Sequence, residues 1–443
     1  MITTVLLLMS LTRAVRVGDE KFELESAGHF YVFANKAIHV INPLSRSIVK
    51  NISREDLPTT WGDVVYAEDS NKKEFYIFAA DRSNNRLIVI DTLKKDIVAS
   101  VQIGQRPVHM YAISSRQEIW THSDVEGHFD VVHLNSPSAL KAKVRTHTLV
   151  PSHGKLLFDD ELGSTAFSTN TLEPGIHQLD LSQTTSNSAP AFFNFSKMSL
   201  QKGWNFTCSG THGIAYSRIN RHLYVECSGR GLWEFSTETK ELIHVFPEVK
   251  GQVYTPPSND WVVAVNSGAS KVHILLPRAS NSASSLSFEV SVPGSPSKPA
   301  FFRVPGRFIP VVGDQQELSD YLGFFALTTP NSSLAGVAVI DFESVIRGTL
   351  SRASTILAGS VTQGTFFTHR SLKLGGQFVV TETHNPQGVY LIETLNHDAA
   401  YLIRGPENAQ RIAWAPERND ASTSNTMHIL LILLVSLILC ILN

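Results

Sequence analysis

Apolar and polar residues alternate with a period of two along most of the chain, in short runs closed by Gly, Asn, Asp, Ser or Pro. That pattern marks short antiparallel strands. The stretch 84–105 (NNRLIVIDTLKKDIVASVQIGQ) shows it plainly. One strand runs into Ile90-Asp91-Thr92, a turn follows, and a second strand comes after it. Pro107 then leads into VHMYAIS, and EIWTHSD follows another turn. Similar strand ends recur at Val40-Ile41-Asn42, Val132-His133-Leu134, Leu179-Asp180-Leu181, Trp233-Glu234-Phe235, Val272-His273-Ile274, Val339-Ile340-Asp341 and Leu391-Ile392-Glu393. Their spacing is mostly about 40 to 55 residues, the length of a four-stranded propeller blade. No long amphipathic helical pattern competes with it. The expectation is an all-β, closed β-propeller over residues 27–416.

The repeating unit is cut at different points at the two ends. Residues 29–50 supply three strands with no first strand before them, and Gln410 to Ala415 (QRIAWA) is a first strand with nothing after it. Joining the two completes a blade and removes sheet edges. Counting that split blade gives eight. Seven remains open, because the stretch 278–322 is rich in Ser, Pro and Gly and reads as loops within the ring.

The 84–105 stretch resembles the YVTN-type repeats of many secreted and surface propellers, with a VIDT-like strand, a V-x-x-I-x-V-like strand and a following Pro. The segment Cys208 to Cys227 (CSGTHGIAYSRINRHLYVEC), continuing to 251–265 (GQVYTPPSNDWVVAV), resembles the C-terminal propeller-like region of follistatin-like proteins. The resemblance implies an extracellular propeller and brings no catalytic motif. The cysteine-rich module, the EF-hand loop and the immunoglobulin pair of those proteins have no counterpart here.

The chain ends agree with export. Residues 1–16 carry a short apolar run (TVLLLMSL) followed by Arg13 and Arg16, as in a secretory signal peptide. At the other end, small polar residues in 417–428 precede an uninterrupted apolar run within 429–443. That run is short for a span of about 20 residues, and no Lys or Arg follows it. A spacer and a removable apolar tail are the signal for a GPI anchor, with Asn419 the expected attachment residue. An ordinary tail anchor is the alternative. Asn51, Asn194, Asn205 and Asn331 begin N-glycosylation sequons. Three cysteines are present, and Cys440 lies in the tail. An even pair in an exported chain predicts a disulfide between Cys208 and Cys227. Metal ligation by that pair with His212 and His222 is the weaker reading of the same residues.

Charge narrows the function. With 38 basic against 40 acidic residues and no basic patch, nothing points to nucleic acid. No G-x-S-x-G elbow appears. When the first strands of successive units are overlaid, His109, His153 and His212 fall in one place, with Asp63 in the unit before and Gln252 in the unit after. First strands line a propeller's channel, so these residues form a candidate divalent-metal arc. A purely structural arc of hydrogen-bonded imidazoles is the alternative. The acidic run Asp159-Asp160-Glu161 reads as a solvated turn, and Trp61, Trp120, Trp204, Trp233, Trp261 and Trp414 as blade packing. The expected function is a non-enzymatic binding module on the outer face of the plasma membrane, for a protein or glycan partner. The other class left open is a metal-dependent propeller enzyme such as a lactonase-like hydrolase.

Overall fold

The structure is a computed structural model. It describes residues 28–69, 74–123, 129–134, 144–145, 154–158, 165–171, 176–180, 210–278, 285–310, 317–328, 336–356, 367–371, 376–384, 387–393 and 400–416. The signal peptide, the Asn419 region and tail, Asn194, Asn205, Asn331, Cys208, His153, Trp204 and the 159–161 acidic run lie outside the described residues.

The described strands form eight antiparallel sheets in chain order, and the innermost strand of each leads off the sheet. Those inner strands are Arg411–Ala415 (sheet 1), Trp61–Asp69 (sheet 2), Pro107–Ile113 (sheet 3), Leu156–Phe158 (sheet 4), Thr211–Ser217 (sheet 5), Gln252–Tyr254 (sheet 6), Ser295–Pro310 (sheet 7) and Phe367–Ser371 (sheet 8). Consecutive inner strands lie side by side around the ring. Sheets 3 and 4 are joined by the Leu156 amide, which donates to the Tyr111 hydroxyl at 3.1 Å. Sheet 8 returns to sheet 1, so the ring is closed.

Closure uses the two ends of the propeller, as the offset repeat predicts. Arg411–Ala415 pairs antiparallel with His29–Ala34, from His29 opposite Ala415 to Phe33 opposite Arg411. Phe30 meets Trp414 edge-on at 4.8 Å. Gln410 ties the closing strand to the next sheet: its Oε1 accepts from the Trp61 amide at 3.0 Å and its Nε2 donates to the Thr59 carbonyl at 2.7 Å.

The core lies between neighbouring sheets. Tyr31, Phe33, Ile38 and Val40 of sheet 1 pack on Trp61, Ile77 and Ile90 of sheet 2. Each such buried side chain contributes about 1.5–3 kcal/mol of transfer free energy. Tryptophans also tie sheets together by hydrogen bonds: the Trp61 indole donates to the Ala34 carbonyl at 2.8 Å, and the Trp261 indole to the Ser319 carbonyl at 2.9 Å. All five described tryptophans are buried, as blade packing requires.

One expectation fails. The stretch 278–322, read as loops, is strand over much of its described length: Leu286–Ser291, then Ser295–Pro310 pairing with Glu317–Thr328. Pro296 and Pro299 flank one register shift, and Pro305 falls within another between Arg303 and Phe308. Proline is tolerated at bulges because the ladder bond it cannot donate is absent there. Among the described residues, helix is confined to single turns such as Phe342–Ile346, capped by the Asp341 carboxylate accepting from the Ser344 amide.

Candidate functional site

The inner strands of sheets 2, 3 and 5 share a feature that sets the site. Each carries a register shift near its start: between Trp61 and Val64, between Pro107 and His109, and between Thr211 and Ile214. A bulge at this place redirects one side chain relative to the regular alternation. Asp63 and His212 lie within these shifts, and His109 is the first residue back in register after its own, opposite His122. Glycines adjoin two of them. A Cβ on Gly62 would stand 2.7 Å from the Pro107 carbonyl oxygen, and one on Gly213 would stand 2.9 Å from the Val253 amide nitrogen. The missing side chain lets the neighbouring inner strand approach closely.

Asp63 and His109 meet. The His109 Nδ1 lies 3.2 Å from the Asp63 Oδ2, and both side chains are 34% exposed. Burial pushes the Asp63 carboxyl up. The hydrogen bond from His109, with the positive charges of Lys298, His109 and Arg411, outweighs it, so the carboxyl lies below its ordinary range. A carboxylate only accepts, so the proton of this contact sits on Nδ1. That leaves Nε2 as the nitrogen open to a ligand, with Asp63 orienting the ring rather than competing for the same ligand. His212 is half-buried, and its carbonyl accepts from the Thr169 hydroxyl at 2.8 Å. Among the described residues no contact joins His212 to the pair, and no three His, Cys, Asp or Glu side chains converge as a metal site. Gln252 faces Lys155 instead, accepting from its Nζ at 2.7 Å.

The repeats did not point to the charged residues around the pair. Lys155 is half-buried and lies over the Tyr254 ring at 5.0 Å. Burial, then the charge of Lys298, lowers its amine to about 8, against the opposing pull of Glu226 and Asp63. Burial, helped by Glu226, pushes Tyr254 up to about 12. Lys155, Lys298 and Arg411 stand at or near the starts of the inner strands of sheets 4, 7 and 1. The overlay of first strands picks out His109, His153, His212, Asp63 and Gln252, and none of these three cations.

The cysteine reading meets a buried thiol. Cys227 has no sulfur partner among the described residues and opposes Thr211 and Gly231 across its sheet, while Cys208 lies outside them. The metal alternative with His222 separates in space along one strand. His222 pairs with Ser217 at the start of His222–Cys227 and Cys227 with Thr211 at its end, and His222 Nδ1 is engaged by Glu234 at 2.9 Å. Asn51 is exposed on the outer strand of sheet 1, where a sequon acceptor has to be.

No protein-family model matches the chain. Among solved structures it is similar to apo AztD from Citrobacter koseri, at 12% identity and TM-score 0.57, over 89% of this chain and 99% of that one. It is also similar to the dihydro-heme d1 dehydrogenase NirN in complex with DHE, at 8% identity and TM-score 0.55, over 90% and 78%. The chain is a β-propeller. At these identities the likeness concerns the fold alone. The resemblance to follistatin-like proteins gains nothing from these neighbours.

Proposed function

We propose that this propeller is a binding protein of the outer cell surface whose ligand, a protein or glycan group, is taken at the mouth of the central channel. The supporting observation is the Asp63–His109 pair. Two neighbouring inner strands present it beside their register shifts, a third exposed, with the positive charges of Lys298 and Arg411 acting on it. A fully structural pair is closed to solvent, and this one is not. The exported location rests on the signal-peptide pattern of 1–16, the sequons and the 417–443 spacer and tail. It carries with it GPI attachment at Asn419 and a Cys208–Cys227 disulfide. Release of the protein from cells by phosphatidylinositol-specific phospholipase C tests the anchor.

A fluorescent ectodomain tests the channel. It should stain a glycan array or a cell surface, and His109→Ala should lower that staining about tenfold, the effect of losing one well-placed polar contact. Leu93→Ala, at a strongly exposed apolar residue between strands of sheet 2, should leave it unchanged. Staining that depends on Leu93 and not on His109 would place the ligand on the loops.

A second reading, a metal-dependent propeller enzyme, draws on the same Nε2. Imidazole held by a carboxylate through Nδ1 is a common arrangement for a metal ligand. Protein purified without a histidine tag should then carry zinc or copper that His109→Ala removes.

A further inference from the structure

Lys155 makes an unusual reach. It precedes the inner strand of sheet 4, yet its amine bonds Gln252 of sheet 6 at 2.7 Å, passing sheet 5, and covers the Tyr254 ring. Lys298, exposed at the start of sheet 7, acts on both Lys155 and Asp63. Lys155 is thus held on the inner strand of sheet 6, and Lys298 stands on the adjoining inner strand of sheet 7. Like charges on neighbouring strands repel, and an anion between them reverses the sign of that interaction. A carboxylate stands beside them. Glu226, on the second strand of sheet 5, acts on Lys155 and Tyr254. Its Oε2 is buried and has no hydrogen-bond partner among the described residues. A carboxylate oxygen can only accept, so that vacancy calls for an N–H or O–H donor.

The geometry points to an acidic sugar as the ligand: Lys155 and Lys298 take its carboxylate, and Glu226 and Gln252 take its hydroxyls. The inference rests on the channel-mouth reading above and gives it a chemical class. A bare oxyanion satisfies the lysines but brings no donor to Glu226, which repels it. A neutral sugar satisfies Glu226 but leaves the ammonium groups facing each other. A hydroxylated carboxylate answers both. Binding also has a proton signature. Lys155 titrates near 8 in the free protein, and a carboxylate against it raises that value, so binding near pH 8 takes up a proton.

Titration calorimetry on the intact ectodomain with D-glucuronate, glucose and acetate tests this. Glucuronate should bind at least about tenfold more tightly than either of the others. The heat should vary with the buffer's ionisation enthalpy at pH 8 and not at pH 6. Lys155→Met and Lys298→Met should each weaken glucuronate about tenfold, and Glu226→Gln severalfold, with unchanged circular dichroism. Absence of glucuronate binding overturns the inference, as does equal binding of acetate or an unchanged affinity in Lys155→Met. Surface staining with His109→Ala reads the channel separately. Staining lost in that variant while glucuronate fails to bind removes the sugar and leaves the channel as the site.

Discussion

Two of the imidazole–carboxylate pairs among the described residues sit in opposite circumstances. His109 and Asp63 join sheets 2 and 3 at 3.2 Å, each 34% exposed. His222 and Glu234 join two strands of sheet 5 at 2.9 Å, each 0% exposed. The buried acid is saturated. Its Oε1 accepts from His222, from the Tyr224 hydroxyl at 2.9 Å, from Asn220 at 3.1 Å and from the Ser285 hydroxyl at 2.8 Å. Its Oε2 accepts from the Ser285 amide at 3.1 Å. That network ties sheet 5 to the chain entering the outer strand of sheet 6. Asp63 has one imidazole and a weak backbone contact, with room left for something else. Residue type is the same in both pairs. Solvent access and the number of donors separate a saturated structural pair from one with acceptor capacity to spare.

The strongest way to break this comparison is to remove one partner from each. Burial pushes the Glu234 carboxyl up, but the hydrogen bonds from His222, Ser285 and Tyr224 bring it below its ordinary range. Glu234→Gln keeps the shape and loses the charge that those donors surround. Breaking a buried pair costs about 3–5 kcal/mol, whereas an exposed pair contributes about 0–1 kcal/mol. Chemical denaturation should therefore show Glu234→Gln several kcal/mol below the wild type, and His109→Ala within about 1 kcal/mol of it. Equal losses would erase the distinction and make the channel pair structural.

Asp320 sharpens the comparison from the other side, as a buried acid without such a network. Its side chain is 0% exposed, and its one strong partner is the Arg307 guanidinium at 3.2 Å, itself 45% exposed. Burial pushes it up, and Asp341 and Glu343 add to the shift against Arg307, leaving it at about 6. The folded protein then holds a proton that the unfolded chain releases near its ordinary value of 3.8. Stability falls as pH rises through about 4 to 6, and the penalty is fully present above that window. Asp320→Asn should raise stability at pH 7 by about 1–2 kcal/mol and flatten the profile between pH 4 and 6. Denaturant midpoints across that range check the sign. A loss of stability at pH 7 would show the ion pair with Arg307 to outweigh desolvation.

The sequence made the ring legible and the site only partly so. Period-two alternation and the recurring I-D-x strand ends located the strands of sheets 1, 2 and 3, because a blade strand is short and its turn residues are local. The offset of the two ends anticipated the pairing of His29–Ala34 with Arg411–Ala415. The inner strand of sheet 7 was hidden because bulges let Pro296 and Pro299 sit inside a strand that composition reads as loop, although the strand end at Val339-Ile340-Asp341 was legible. In the channel, the overlay of first strands brought Asp63 to His109, since equivalent positions of neighbouring blades are adjacent. It could not show that Lys155 reaches Gln252 past a whole sheet. A long side chain's reach depends on the ring's curvature, and no local pattern encodes that.

The smallest effect, and the finest test of the comparison, concerns the pH response of the two acids. Both carboxyls lie below their ordinary values, Asp63 and Glu234 alike, so both contributions carry the same sign. Each folded carboxyl holds fewer protons than its unfolded counterpart in the window between its folded value and the ordinary 3.8 or 4.5. Each contribution is therefore complete above the ordinary value and is lost as pH falls through the folded one. The magnitudes differ because the surroundings differ. Glu234 is shielded from solvent, and water screens much of the contact between Asp63 and His109. Asp63→Asn should cost about 0.5 kcal/mol or less at pH 7. The gap to the wild type should close below pH 4, and 0.5 M salt should shrink it further. The Glu234→Gln gap should also narrow in acid but ignore salt. Denaturant titrations at pH 7 and pH 3, with and without salt, separate the two. A salt-insensitive loss at Asp63 would show that its contact is sealed from solvent, and the channel pair would then belong with the buried one.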